Sequence, residues 1–128
     1  MRALTKVLIV EDVEEMAELL KMTLEARDFT VTGLAKSVWE ARELLSRSRP
    51  EFLLLDEVIP GESPIDFVSE CGVLELPVVL MTGMDSPSHA IAEGALGRVI
   101  KPTADDLGRG RPGNFVDDIN KLTKPLRN

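Results

Sequence analysis

Five residues of this chain have side chains suited to phosphate and metal chemistry, and each follows a short run that reads as a strand. Glu11 and Asp12 follow KVLIV, Asp56 follows FLLL, Thr82 follows VVLM, and Lys101 follows Arg98-Val99-Ile100. Three carboxylates brought together repel one another unless positive charge lies between them. A hard divalent cation answers that need, since Mg²⁺ takes oxygen ligands, keeps several waters and is commonly held by one or two carboxylates plus phosphate oxygens. A threonine hydroxyl and a lysine ammonium across the same crevice suit the remaining oxygens of a phosphoryl group. Together these groups fit phosphoryl transfer onto the carboxylate of Asp56. Aspartate is also common where a strand gives way to a loop, so Asp56 taken alone reads equally well as the cap of the turn after it.

The elements that must bring these residues together are short. Residues 52–55 are apolar without a break, too few for a helix, and lie between Pro50 and Pro60-Gly61. They read as a strand buried on both faces. Residues 6–10 and 78–81 read the same way. Residues 29–34, FTVTGL, alternate apolar and polar side chains as an edge strand does, and residues 98–100 are brief enough for the other edge. Between the strands, Val13, Met16, Ala17, Leu20 and Leu24 recur on one helix face. Glu14, Glu15 and Glu18 lie near that helix's start, where its dipole favours acids, and read as a solvated face. Ser37-Val38-Trp39-Glu40 reads as a capping box opening a helix to about residue 47, with Trp39 used in packing. Ser63-Pro64 predicts a serine cap with proline at the first helical position, the helix running to Cys71 and stopping at Gly72. Ser86-Pro87 opens a further short helix ending near Gly94 or Gly97, and Asn114 caps a last helix in which Phe115, Ile119 and Leu122 share a face.

Strand then helix, five times over, implies an α/β fold with a doubly wound parallel sheet covered on both sides. The three most apolar runs belong in its middle, which favours the strand order 2-1-3-4-5. In such a sheet the ligand crevice lies at the carboxyl ends of the strands, where Glu11, Asp12, Asp56, Thr82 and Lys101 fall.

Composition narrows the classes. A chain of 128 residues with 44% hydrophobic content predicts one domain, 1–128, with a core of Leu, Val, Ile and Met, because there are four Phe, one Trp and no Tyr. No apolar run approaches the ~20 residues of a membrane span, and the N-terminus lacks a signal-peptide stretch, so a cytoplasmic protein is expected. Cys71 is alone and His89 is alone, which excludes an internal disulfide, a cysteine metal cluster and a histidine-rich site. A net charge of -7 argues against nucleic acid and leaves proteins or a cation as partners. Residues 108–113, GRGRPG, fit GxGxxG in the wrong setting: no strand directly precedes them, Pro112 interrupts the loop, and the residues after Gly113 are too few for a βαβ unit. They read as part of a flexible insertion between Lys101-Pro102 and the last helix, in which Arg109 and Arg111 offer a small basic contact.

Four motifs in order on alternating strands, LIVED at 8–12, LLLDEVIPG at 53–61, LMTG at 80–83 and VIKP at 99–102, resemble the receiver domain of two-component response regulators over nearly the whole chain. The resemblance implies a flavodoxin-like receiver fold, with Glu11 and Asp12 holding Mg²⁺ and Asp56 as the phosphorylated residue. It further implies a metal contact from the Val58 carbonyl, phosphoryl contacts from Thr82 and Lys101, and a cis Lys101–Pro102 bond. The phosphoryl donor would be a histidine kinase or a histidine phosphotransfer protein. The output would be contact with a downstream protein target rather than enzymatic turnover. The alternatives are a receiver fold kept as an interaction module independent of phosphorylation, and a phospho-aspartate hydrolase, which Asp56-Glu57-Val58 disfavours by lacking a second Asp two positions on.

Three departures stand out. Pro64 replaces the family's usual Gly, and Arg98 replaces its usual Tyr or Phe. The stretch from Thr82 to Lys101 is shorter by roughly one helical turn, predicting a short or irregular fourth helix. With Arg98, rotation of an aromatic ring cannot be the switch, and this residue is either ion-paired or solvated. Val58 and Met84 by resemblance flank the path of attacking water, and both are apolar, which predicts slow hydrolysis. The chain reads as a stand-alone regulator, a relay shuttle or the receiver of a hybrid kinase, and its Met1 start favours the expectation of a separate protein.

Overall fold

The run at 52–56 forms the middle strand of the sheet, and every residue of it is buried. In the computed structural model, which describes residues 4–83 and 94–127, the strands are β1 (Thr5–Val10), β2 (Phe29–Ala35), β3 (Phe52–Asp56), β4 (Val78–Thr82) and β5 (Ala95–Ile100). All pair in parallel, in the order β2-β1-β3-β4-β5. The helices are α1 (Glu14–Glu25), α2 (Val38–Leu45), α3 (Pro64–Val73), α4 (Ala104–Gly108) and α5 (Phe115–Thr123), followed by a 3₁₀ turn at Lys124–Arg127.

Alternation along each strand sends neighbours to opposite faces. Val7, Ile9, Leu54, Met81 and Val99 form one core with Leu20 and Leu24 of α1 and Phe115 and Ile119 of α5. Leu8, Val10, Leu53, Leu55 and Leu80 form the other with Ala41 of α2 and Phe67, Val68 and Cys71 of α3. Cover on both faces is why the central strands read as unbroken apolar runs. Strand order reverses direction at β1, so the crevice at the carboxyl ends of β1 and β3 is the opening that carries ligands in doubly wound sheets.

The helix ends show what local sequence dictates and where it stops. At α2 the Ser37 hydroxyl accepts from the Glu40 N–H at 3.0 Å, the Glu40 carboxylate accepts from the Lys36 N–H at 3.2 Å, and Glu62 accepts from the Val38 N–H at 2.8 Å. The expected box thus forms, one residue wider, with a third acid from the β3–α3 loop. Pro64 does open α3, but Ser63 makes no side-chain cap and Gly72 does not stop the helix. Glu75 stops it instead by adopting φ 57, which lets the Leu76 N–H reach Cys71 O at 2.9 Å and the Glu75 N–H reach Gly72 O at 3.0 Å. Asn114 precedes α5 without a side-chain cap.

Other expectations change as well. β5 begins at Ala95, so Gly97 lies inside a strand rather than at a helix end, and it is a point of close approach: a Cβ there would lie 2.6 Å from Leu122 Cδ2, in the last turn of α5. The stretch read as a flexible insertion carries α4, capped by Thr103 and anchored by buried Leu107. Gly110 (φ 71) and Gly113 (φ 61) serve turns rather than a phosphate loop. The Lys101–Pro102 bond is trans rather than cis, the lower-energy isomer of an X–Pro bond, and leads directly into the Thr103 cap. The helix expected from Ser86, and with it Met84 and His89, lies outside the described residues. Among the described residues no helix is long and apolar enough to cross a membrane.

Candidate functional site

Backbone ladders carry the polar residues to one edge. The Glu11 N–H donates to Ala35 O at 2.9 Å, extending β1 against β2 by one residue, and the Lys101 N–H donates to Thr82 O at 2.8 Å, extending β5 against β4. Asp56 stands opposite Met81, and Thr82 opposite Ile100, so acceptor, hydroxyl and ammonium step outward by one residue per strand. The expected convergence of Glu11, Asp12 and Asp56 occurs: each offers an oxygen lying within 4.8 Å of the others'. Glu11 and Asp56 are buried and Asp12 is half-buried.

Lys101 Nζ lies between two of these acids, donating to Glu11 Oε1 at 2.7 Å and to Asp56 Oδ2 at 2.8 Å. The second oxygen of each acid is also engaged, Glu11 Oε2 by the Val13 N–H at 3.2 Å and Asp56 Oδ1 by the Val58 N–H at 2.9 Å. The latter bond, from a residue two ahead, is the turn-capping role open to any strand-end aspartate. Val58 otherwise projects outward, 66% exposed. The Thr82 hydroxyl is half-buried and, among the described residues, reaches only Gly83 O at 3.4 Å, beyond the usual range for an O–H donor, which leaves it available for another acceptor.

One ammonium does not balance three carboxylates. Glu11 is pushed up to about 7, first by burial and further by the Asp56 charge, against the pull of its Lys101 hydrogen bond. The Lys101 ammonium is lowered by burial, but its hydrogen bonds to Asp56 and Glu11 outweigh this and raise it overall. Three convergent carboxylates facing one ammonium leave the place short of positive charge. The all-oxygen donor set fits a hard divalent cation of the Mg²⁺ kind, with room left for waters.

Arg98 is ion-paired rather than solvated, and its partner was not foreseen. Its Nε donates to Glu57 Oε2 at 3.1 Å, and its Nη2 to Oε1 at 2.9 Å and Oε2 at 2.8 Å, with side chains only 15% and 12% exposed. The one available signal was that Glu57 follows Asp56 on a strand end and so faces the opposite side. Arg109, expected to offer a basic contact, pairs with Asp105 at 3.1 Å on an exposed surface.

With this geometry in view, comparison with known proteins gives a consistent result. Residues 7–109 match the model of the response regulator receiver domain. Protein-glutamate methylesterase/protein-glutamine glutaminase 1 of Rhizobium johnstonii is 31% identical over 99% of this chain and 37% of its own length. The response regulator protein PilR of Pseudomonas aeruginosa is 37% identical over 83% of this chain and 24% of its own length. The chain therefore spans only about a quarter to a third of these curated relatives. Among solved structures, the response regulator domain of Thermotoga maritima CheB aligns with a TM-score of 0.75 at 21% identity, over 96% of both chains, which speaks for the fold. The sheet order, the acidic edge and the family match agree: this chain belongs to the response-regulator receiver domains of two-component signalling.

Proposed function

We propose that residues 1–128 act as one receiver unit in which Asp56 accepts a phosphoryl group from a phosphohistidine on a histidine kinase or histidine phosphotransfer protein, and which then signals by contact with a downstream protein. The observation that carries this reading is the buried Asp56 carboxylate held between the Val58 N–H and the Lys101 ammonium, beside two further acids. An Asp56 oxygen attacks phosphorus, an O–P bond forms, the P–N bond breaks, and the leaving imidazole keeps its electron pair and takes a proton. Both Asp56 oxygens are engaged at rest, so one contact must loosen. Lys101 suits that step, because an ammonium has three donors and can pass from Oδ2 to an incoming phosphoryl oxygen while keeping Glu11. The Thr82 hydroxyl, weakly engaged at rest, takes another phosphoryl oxygen.

Glu11, Asp12 and Asp56 would hold Mg²⁺, with the Val58 carbonyl as a backbone ligand. When bound, the ion supplies charge neutralisation between the attacking carboxylate and the phosphoryl oxygens. The location inferred for this chemistry is the cytoplasm. The test is incubation with a small acyl phosphate and Mg²⁺ followed by intact mass. A gain of one phosphoryl group that Asp56→Asn abolishes is expected, whereas an unmodified wild type would leave an interaction module that works without phosphorylation.

A further inference from the structure

Glu57 is tied down twice. Its N–H donates to Met81 O of β4 at 2.9 Å, and its carboxylate takes the forked guanidinium of Arg98 from β5 at 2.8–3.1 Å. Strand alternation fixes where these side chains meet. Leu53 and Leu55 belong to the core under α2 and α3, so Glu57, next in that series, faces the same side, opposite to Asp56. Val99 belongs to the other core, so Arg98 also faces α2 and α3, at the level of its register partner Leu80. The pair therefore crosses over β4 and ties the end of β3 to β5. Shielded from solvent and paired through two nitrogens, it is stiffer than an exposed lysine–carboxylate contact.

What it stiffens is the peptide next to Asp56. The Val58 N–H orients Asp56 Oδ1 at 2.9 Å, yet the Val58 side chain is 66% exposed and offers little packing to hold that N–H in place. The two bonds on Glu57 restrain it from one side, and the buried Ile59 from the other. Lys101, three residues beyond Arg98, approaches Asp56 from the same strand's end, so β5 bears one cation that faces the acceptor and one that braces the backbone beside it.

We infer that the Glu57–Arg98 ion pair is a positioning element for phosphoryl acceptance: it holds the backbone from Asp56 to Val58 in the orientation that presents the acceptor oxygen and the Val58 backbone to the site. This rests on the reading of Asp56 as the acceptor. Arg98→Met, Glu57→Gln and the double variant test it, at a temperature well below their unfolding midpoints. Uptake of phosphate from acetyl phosphate is followed by mass at saturating Mg²⁺, and the Val58 amide by ¹H–¹⁵N NMR without phosphodonor. Arg98→Met should slow uptake roughly 10-fold, the usual scale for a residue orienting a reacting group from behind. Glu57→Gln, which keeps one hydrogen bond, should slow it less. The double variant should be no slower than Arg98→Met alone, because both changes remove one interaction. The Val58 resonance should move in Arg98→Met. Unchanged uptake with only a lower unfolding midpoint would overturn the inference, as would effects that multiply in the double variant. If the wild type takes up no phosphate, the acceptor reading fails by itself. The brace then stands or falls on the Val58 amide, and an unmoved resonance in Arg98→Met refutes it.

Discussion

Glu11→Gln separates the stability of this fold from the chemistry of its site. The acid is buried, and its carboxyl is pushed from 4.5 up to about 7, chiefly by that burial. The folded protein thus holds the Glu11 proton more tightly than the unfolded chain does between those two values. The Glu11 contribution to stability is greatest below pH 4.5, declines as pH rises towards 7, and is flat above. At about 1.4 kcal/mol per pH unit, the whole gap is worth about 3 kcal/mol, of which roughly 2–3 kcal/mol falls between about pH 5 and pH 8. Glutamine cannot ionise, so this slope should vanish. It also has one oxygen where two donors wait, the Lys101 ammonium and the Val13 N–H, and its amide must face one of them. That mismatch costs about 1 kcal/mol at every pH. The two effects cross: the variant should be less stable than wild type at about pH 5 and more stable by about 2 kcal/mol at about pH 8. Urea unfolding at both pH values without divalent cations measures this, and titrating groups that do not interact with Glu11 cancel in the comparison. Parallel pH profiles for the two proteins would refute the argument. Mg²⁺ at about 100 times its dissociation constant should restore about 2.7 kcal/mol to wild type at the higher pH and much less to the variant.

Two other changes probe what surrounds the acid. Lys101→Met removes the ammonium that sits between Glu11 and Asp56, so Mg²⁺ affinity by calorimetric titration should rise by roughly 10-fold while phosphate uptake falls; weaker Mg²⁺ binding would mean that Lys101 organises the carboxylates rather than competing for them. Gly97→Ala places a methyl group 2.6 Å from Leu122 Cδ2 and should cost about 1–3 kcal/mol in urea unfolding, a cost that the additional change Leu122→Ala should largely relieve.

The sheet was legible because its central strands are covered on both faces: an apolar run that ends abruptly on Asp56 or Glu11 leaves no other place for the acid than the strand's carboxyl edge. The same logic located Lys101. Legibility ended where a residue's role depends on a distant neighbour. Gly97 looks like a helix end until Leu122 is found above it, and Gly72 looks like a stop although Glu75 takes the left-handed turn. Thr103 to Leu107 is too short for periodicity to show, and it is helical because a threonine cap and one buried leucine suffice. The pairing of Arg98 with Glu57 spans 41 residues and passes over a third strand, which no local pattern records.

Charge explains why these unforeseen contacts matter. The described edge gathers Glu11, Asp12 and Asp56 against Lys101, while the second nearby cation, Arg98, is neutralised by Glu57 on the other side of the sheet. Had Arg98 faced the acids, the cluster would come close to neutrality, and a divalent cation would have little reason to bind. Held away, it leaves an excess of negative charge, which adds to the burial that chiefly raises the pKa of Glu11, the most buried of the three acids. A dication would relieve that excess, and an arriving phosphoryl group would restore it and draw Lys101 off Asp56. On the proposed reading, the resting site is therefore strained towards its ligands, and the residue that replaces the family's aromatic contributes by keeping its charge out of the site while holding the backbone beside the acceptor.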